Sequence, residues 1–221
     1  MSDTVITVQG EFTAWYPPER ATVALTVQFD GGERDSVFDK TTAAASTVRD
    51  SIEALADASG PVTWWSSDSV RVWSDRPWSQ DGARLPLVYT ASVAVRAKFR
   101  DFAVLAVWIE QTAAIEGVTI AGIEWQLTEA TRTAVTAEVR SRSVKDAVTK
   151  ATVFAQSIGL GSVSAIALAD PGMLGEHANP SPDFGARSFK SEMSMDAGGG
   201  LAFKPEEIEV ASTVDARFVA R

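Results

Sequence analysis

A chain of 221 residues with 45% hydrophobic and 22% charged side chains has the composition of a soluble globular protein and the length to bury a substantial core. Its net charge of −9 repels phosphate backbones, and its Lys and Arg are scattered, so nucleic acid is not an expected partner. It has no cysteine, which excludes disulfides, thiol catalysis and thiolate metal sites.

Met1-Ser2-Asp3-Thr4 passes straight into a strand pattern, without the basic and apolar regions of a signal peptide, and no apolar run reaches the length of a membrane span. The expected location is the cytoplasm. Ile6, Val8, Phe12 and Ala14 alternate with polar residues, which predicts a strand ended by Pro17-Pro18. Val23, Leu25, Val27 and Phe29 predict a second, stopped by Asp30-Gly31-Gly32. From Asp35 the period changes. Phe38, Thr41, Ala45, Val48, Ile52 and Leu55 recur at helical spacing, with Asp35 or Ser36 as cap and Gly60-Pro61 as terminator.

Val70 and Val72 predict a short strand, and Leu85, Leu87, Tyr89, Ala91, Val93 and Val95 a longer one, with Ser74 to Arg84 as the hairpin tip between them. Asp101 starts a second helix that is apolar on most sides. Phe102, Leu105, Ile109 and Ala113 form one face; Val104, Val107 and Trp108 form the other. After Gly117, Ile120, Ile123, Trp125 and Leu127 predict a strand with a bulge at Gly122. Thr128 caps a long helix whose stripe runs through Val135, Val139, Val144, Ala147 or Val148, Ala151, Phe154 or Ala155, and Ile158. Val163, Ala165 and Ala167 open another strand.

Residues 170–204 are rich in Gly and Pro and lack periodicity, so they are expected to be flexible or ordered by a partner. Alternation then resumes at Ile208 and runs through Val210, Val214, Ala216, Phe218 and Ala220, as for a strand paired within a half-buried sheet. The expected order is ββαββαβαββ. It describes a single α+β domain over residues 1–221: a mixed, mainly antiparallel sheet with helices packed on it and a ferredoxin-like split-βαβ core.

Several residues were weighed for chemistry. His177, the only histidine, falls in the 170–204 segment and has no second histidine or cysteine to share a metal. Glu207 and Glu209 lie on one face of a strand, about 7 Å apart, a spacing that suits an acid/base pair but equally a solvated face balanced by Arg217 or another strand's cation. Gly159-Leu160-Gly161 follows a helix and precedes a strand, the reverse of a dinucleotide loop. Gly198-Gly199-Gly200 lacks the Lys-Ser or Lys-Thr of a phosphate loop. No cofactor and no enzymatic activity are expected. Four of the seven tryptophans, Trp64, Trp65, Trp73 and Trp78, fall around one hairpin. With Val104 and Trp108 they are the candidate interface residues.

The Ile6-Thr7-Val8-Gln9-Gly10-Glu11 strand, the Ser143–Ala151 and Phe154–Leu160 segments of the long helix, and the Glu206–Phe218 strand after a low-complexity loop resemble the SIMPL-domain proteins. The resemblance covers nearly the whole chain and rests on the order and spacing of diffuse motifs. It implies no catalytic residues. Among such proteins many are periplasmic or exported, some are linked to oxidative-stress tolerance, and one assembles into a large hollow oligomer. The expected function is therefore a non-enzymatic, homo-oligomeric SIMPL-type protein. The alternative is a small-molecule or carbohydrate binding module, or a hydrolase, built on the Trp-rich hairpin with Asp75 and Asp81.

Overall fold

The computed structural model of the chain describes residues 3–78, 80, 84–174 and 204–221. The 175–203 stretch, with His177, and Asp81 in the hairpin tip lie outside the described residues. The described elements are β1 (Thr4–Tyr16), β2 (Arg20–Gly31), α1 (Arg34–Glu53), β3 (Val62–Ser67), β4 (Arg71–Asp75), β5 (Val88–Phe99), α2 (Phe102–Ala113), β6 (Val118–Gln126), α3 (Glu129–Ser157), β7 (Val163–Ala169) and β8 (Ile208–Ala220). The class is α+β with antiparallel pairing, as expected, and the strands form two sheets where the sequence predicts one mixed, mainly antiparallel sheet. The described residues form two compact units, and the chain passes between them at Pro17-Pro18 and again at Gln126-Leu127.

In the β2–β6 unit the strand order is β3-β5-β2-β6, with β4 also paired to β5. This is the ferredoxin-like arrangement expected of β2-α1-(β3, β4)-β5-α2-β6. Val23, Leu25 and Val27 of β2 and Val93, Val95, Ala97 and Phe99 of β5 share one face. Ala45, Val48 and Ile52 of α1 and Leu105, Trp108 and Ile109 of α2 pack in the same core. Both helices therefore cover one side of the sheet. Asp101 caps α2 as predicted, its carboxylate accepting the backbone N–H groups of Ala103 (2.9 Å) and Val104 (3.1 Å). The predicted bulge is present, since the register slips between Ala24 and Leu25 opposite Gly122 and Ile120.

Helix α1 begins two to three residues earlier than predicted. Glu33 is its N-cap, and no side chain bonds there. Val37 rather than Phe38 then joins Thr41, Ala45, Val48 and Ile52 on the buried stripe. The helix also stops at Glu53, well before Gly60-Pro61. Gly117 has φ +80 and approaches the Phe29 ring so closely that a Cβ would overlap it, so both backbone conformation and space demand glycine.

The other unit is the sheet β1-β8-β7 with α3 packed on it. β8 is the central strand, which explains why its alternation persists to Ala220: it pairs with β1 from Ile208 to Ala220 and with β7 from Asp215 to Ala220. Ile6, Val8, Ala216, Phe218 and Ala220 pack against Ala147, Ala151 and Ala155 of α3. Leu127, Val135, Val139, Ile208 and Val210 form a second cluster. The bulkier alternatives in the sequence, Val148 and Phe154, are exposed, and so is Ile158, which the helical period places on the stripe but which caps the helix end. Around Ala147 the cause is Gly10 on β1, where an added Cβ would overlap the Ser143 carbonyl oxygen and the Ala147 Cβ. So close an approach leaves room only for small side chains on the facing stripe.

Candidate functional site

The four hairpin tryptophans are not gathered into one cluster. Trp64 lies opposite Lys98, which pairs with Thr22 on the sheet face away from the helices, and the Lys98 ammonium is 6.0 Å from the Trp64 ring centroid. Trp65 lies opposite Ala97 and packs against the core. Trp73 is on β4 opposite Thr90, and Trp78 follows β4, fully open to solvent at 80% exposure. Lys98 and Thr90 are eight residues apart on β5, so Trp64 and Trp73 are separated by about 27 Å along the strand, and no single small ring can stack on both. Asp75 closes β4 opposite Val88.

Trp108 is the clear departure among the candidate interface residues. It is 3% exposed and lies in the core of its own unit, tilted against Phe99 with ring centroids 5.2 Å apart. Its indole N–H donates to Ser51 Oγ on α1 at 3.0 Å. An apolar side chain at helical spacing from Leu105 and Thr112 belongs to the inward stripe, so Trp108 is removed from the exposed set. The outward apolar stripe of α2 is Val104, half-buried, and Val107, 54% exposed.

These two valines line a groove of about 580 Å³ between α1 and α2. Leu55 and Ala54 form the α1 wall, and the Ser51–Trp108 hydrogen bond lies at the base. Its lining is nearly all apolar, with Ser51 and Gln111 as the polar residues besides the Trp108 indole N–H. The sequence carries this signal in the all-round apolar character of Phe102–Ile109. The α1 wall is less visible, because Leu55 lies past the end of its helix.

In the other unit the notable polar site ties α3 to β1. Lys150 Nζ donates to Asp146 Oδ2 at 2.9 Å and to the Gln9 carbonyl at 3.1 Å, and lies 3.5 Å from Glu11 Oε1. Asp146 also accepts the Glu11 backbone N–H at 2.9 Å. Hydrogen bonding from Lys150, then the Glu11 N–H, holds the Asp146 carboxyl below its ordinary range, and the Asp146 bond raises Lys150. On β8, Asp215 accepts from Gln9 Nε2 (2.9 Å) and the Gly172 N–H (2.7 Å), while Arg217 donates to the Leu174 carbonyl (2.9 Å). These bonds anchor the start of the segment that follows β7. Glu207 precedes β8 and Glu209 lies opposite Trp15. Among the described residues, no three His, Asp or Glu side chains come together as a metal site, and no helix is long and apolar enough to cross a membrane.

The model of the SIMPL family, described as a protein of unknown function (DUF541), matches residues 6–218. The chain belongs to the SIMPL family. The match starts in β1 and ends in β8, so it takes in both compact units of this SIMPL protein. No curated protein matches the chain.

Proposed function

We propose that this SIMPL protein is a non-enzymatic assembly subunit that works as a homo-oligomer, with the α1–α2 groove as a self-contact. The observation that carries this reading is the outward stripe of Val104 and Val107 beside Leu55, a largely apolar surface. An apolar helix face that its own unit leaves uncovered is one against which a further layer can pack. A symmetric copy supplies the second layer that the helix lacks, because a two-fold operation brings the same patch against itself. The stress-related role is part of the proposal through the family alone.

The groove favours assembly over the binding-module alternative, since Trp64 and Trp73 are too far apart to act together. Sedimentation or native mass measurement of the wild type and Val107→Glu tests the proposal. Val107 is exposed, so the variant folds. Its carboxylate would be buried unpaired at the contact, and the oligomer is expected to fall to a smaller species at the same concentration. A wild type that sediments as a monomer at micromolar concentration overturns the proposal.

A further inference from the structure

The two edges of the β1-β8-β7 sheet are not equivalent. At β1, α3 occupies the edge: Lys150 holds the Gln9 carbonyl and Asp146 holds the Glu11 N–H. A carbonyl at one residue and the N–H two residues on are the pair that an added strand would engage, so side chains already fill the place of a strand there. The pair is charged, a second deterrent to strand addition.

β7 has no such protection among the described residues. Its sequence, Val163-Ser-Ala-Ile-Ala-Leu-Ala169, has no charge and no proline. Ile166 is 54% and Leu168 50% exposed. The register with β8 slips between Ala165 and Ala167, which leaves Ile166 outside the ladder. A row of open backbone donors and acceptors is complemented only by another extended backbone, and uncharged apolar side chains call for a partner strand of the same character.

We infer that β7 pairs with β7 of a second copy, antiparallel about a two-fold axis that passes near Ile166. The strand that fits this edge must be apolar, uncharged and open at its own edge. β7 meets those conditions itself, whereas β1 is blocked by Lys150 and Asp146. With β1 blocked, the head-to-tail contact of β7 on β1 is prevented, and that contact is the one that would propagate an open fibre. Within this sheet the remaining edge contact, β7 on β7, is isologous and closes. A two-fold centred on Ile166 sets Val163–Ala165 against Ala167–Ala169 of the copy, so the slip at Ile166 falls at the centre and the regular halves pair. This inference rests on the self-assembly reading but uses a different surface, so one chain presents two self-contacts.

The absence of cysteine makes the test direct. Single cysteines are placed in turn at Ser164, Ala165, Ile166, Ala167 and Leu168, with Val5→Cys on β1 as the comparison, and each folded protein is oxidised at micromolar concentration. In antiparallel pairing across a two-fold only the residue at the axis faces its own copy, at a Cα separation of about 4.5–5.5 Å that a disulfide spans. The expected result is a disulfide-linked dimer that peaks at one position of β7 and falls off on both sides, with none from Val5→Cys. Uniformly low yield along β7, or equal yield from Val5→Cys, overturns the inference. Repeating the peak variant in the Val107→Glu background separates the two contacts. A retained cross-link with a smaller assembly keeps both. An assembly that Val107→Glu splits but that never cross-links along β7 removes this inference and leaves the groove contact standing.

Discussion

The Trp108 indole N–H donates to Ser51 Oγ at 3.0 Å, tying α2 to α1 at the base of the apolar groove. The bond satisfies the one polar atom of a side chain that is otherwise core, and it fixes the ring against Phe99. Ser51 Oγ in turn donates to the Val48 carbonyl at 2.7 Å, so the serine is held by its own helix. Both helix positions are thus coupled through one hydroxyl.

Ser51→Ala is therefore expected to lower stability by about 0.5–1.5 kcal/mol, the net value of such a bond, with added cost from the stranded indole N–H. Trp108→Ala removes the ring as well and is expected to cost about 3–5 kcal/mol. Urea unfolding of both variants measures this. If Trp108→Ala cost no more than Ser51→Ala, the ring would not be part of the core.

Gly10→Ala is expected to destabilise the β1–α3 packing. The added methyl meets backbone at Ser143 and the Ala147 Cβ, neither of which is a flexible side-chain end. Overpacking of this kind costs about 1–3 kcal/mol, and backbone on one side sets the upper part of that range. A melting temperature equal to wild type would show that α3 can retreat from β1.

The Lys150–Asp146–Glu11 link gives a pH window. Asp146 has a folded pKa below its ordinary 3.8, so its contribution is present above that value and is lost as pH falls through the folded one. Lys150 has a folded pKa above its ordinary 10.5, so its contribution is present below that value and is lost as pH rises through the folded one. The stability gap between wild type and Asp146→Ala should be flat between these limits and shrink at both ends. It should also shrink with added salt, since both side chains are about a third exposed. Denaturant midpoints across pH check the shape, and a gap that widens on acidification contradicts the assignment.

Much of the β2–β6 unit is legible because alternation and helical period report directly which face is buried, and the Asp101 cap, like Thr128 in the other unit, carries local chemistry. β3 was missed for a physical reason. A bulge at Thr63 sets Val62 and Trp65 on the same face, opposite Phe99 and Ala97, so the two-residue period is broken where the strand exists. The choice of Ala147 over Val148 depends on Gly10, more than 130 residues away in sequence, and no local period encodes it. Periodicity also names a strand's buried face but not its sheet, which is why two sheets were read as one. For the groove, α2's excess of apolar residues was visible, but the bond that takes Trp108 inward is tertiary.

Shortening the chain after Thr213 is expected to abolish folding of the β1-β8-β7 unit. β8 is the central strand, so the deletion removes the partner of Thr4–Gly10 on one side and of the whole of β7 on the other. It also takes Ala216, Phe218 and Ala220 out of the core with α3. Phe218 is buried among them, and its burial alone is worth about 1.5–3 kcal/mol. The exposed Ile6 and Val8 then face water beside unpaired backbone, the condition that promotes aggregation. The milder variant Phe218→Ala keeps the ladder and removes only the side chain. It is expected to cost about 3–5 kcal/mol and to leave a folded protein where the unit is stable enough. Circular dichroism and hydrogen exchange on both variants distinguish the two effects. Amides of β1 should lose protection in the truncated chain and keep it in Phe218→Ala. Retained protection of β1 in the truncated chain would show that α3 alone holds that strand.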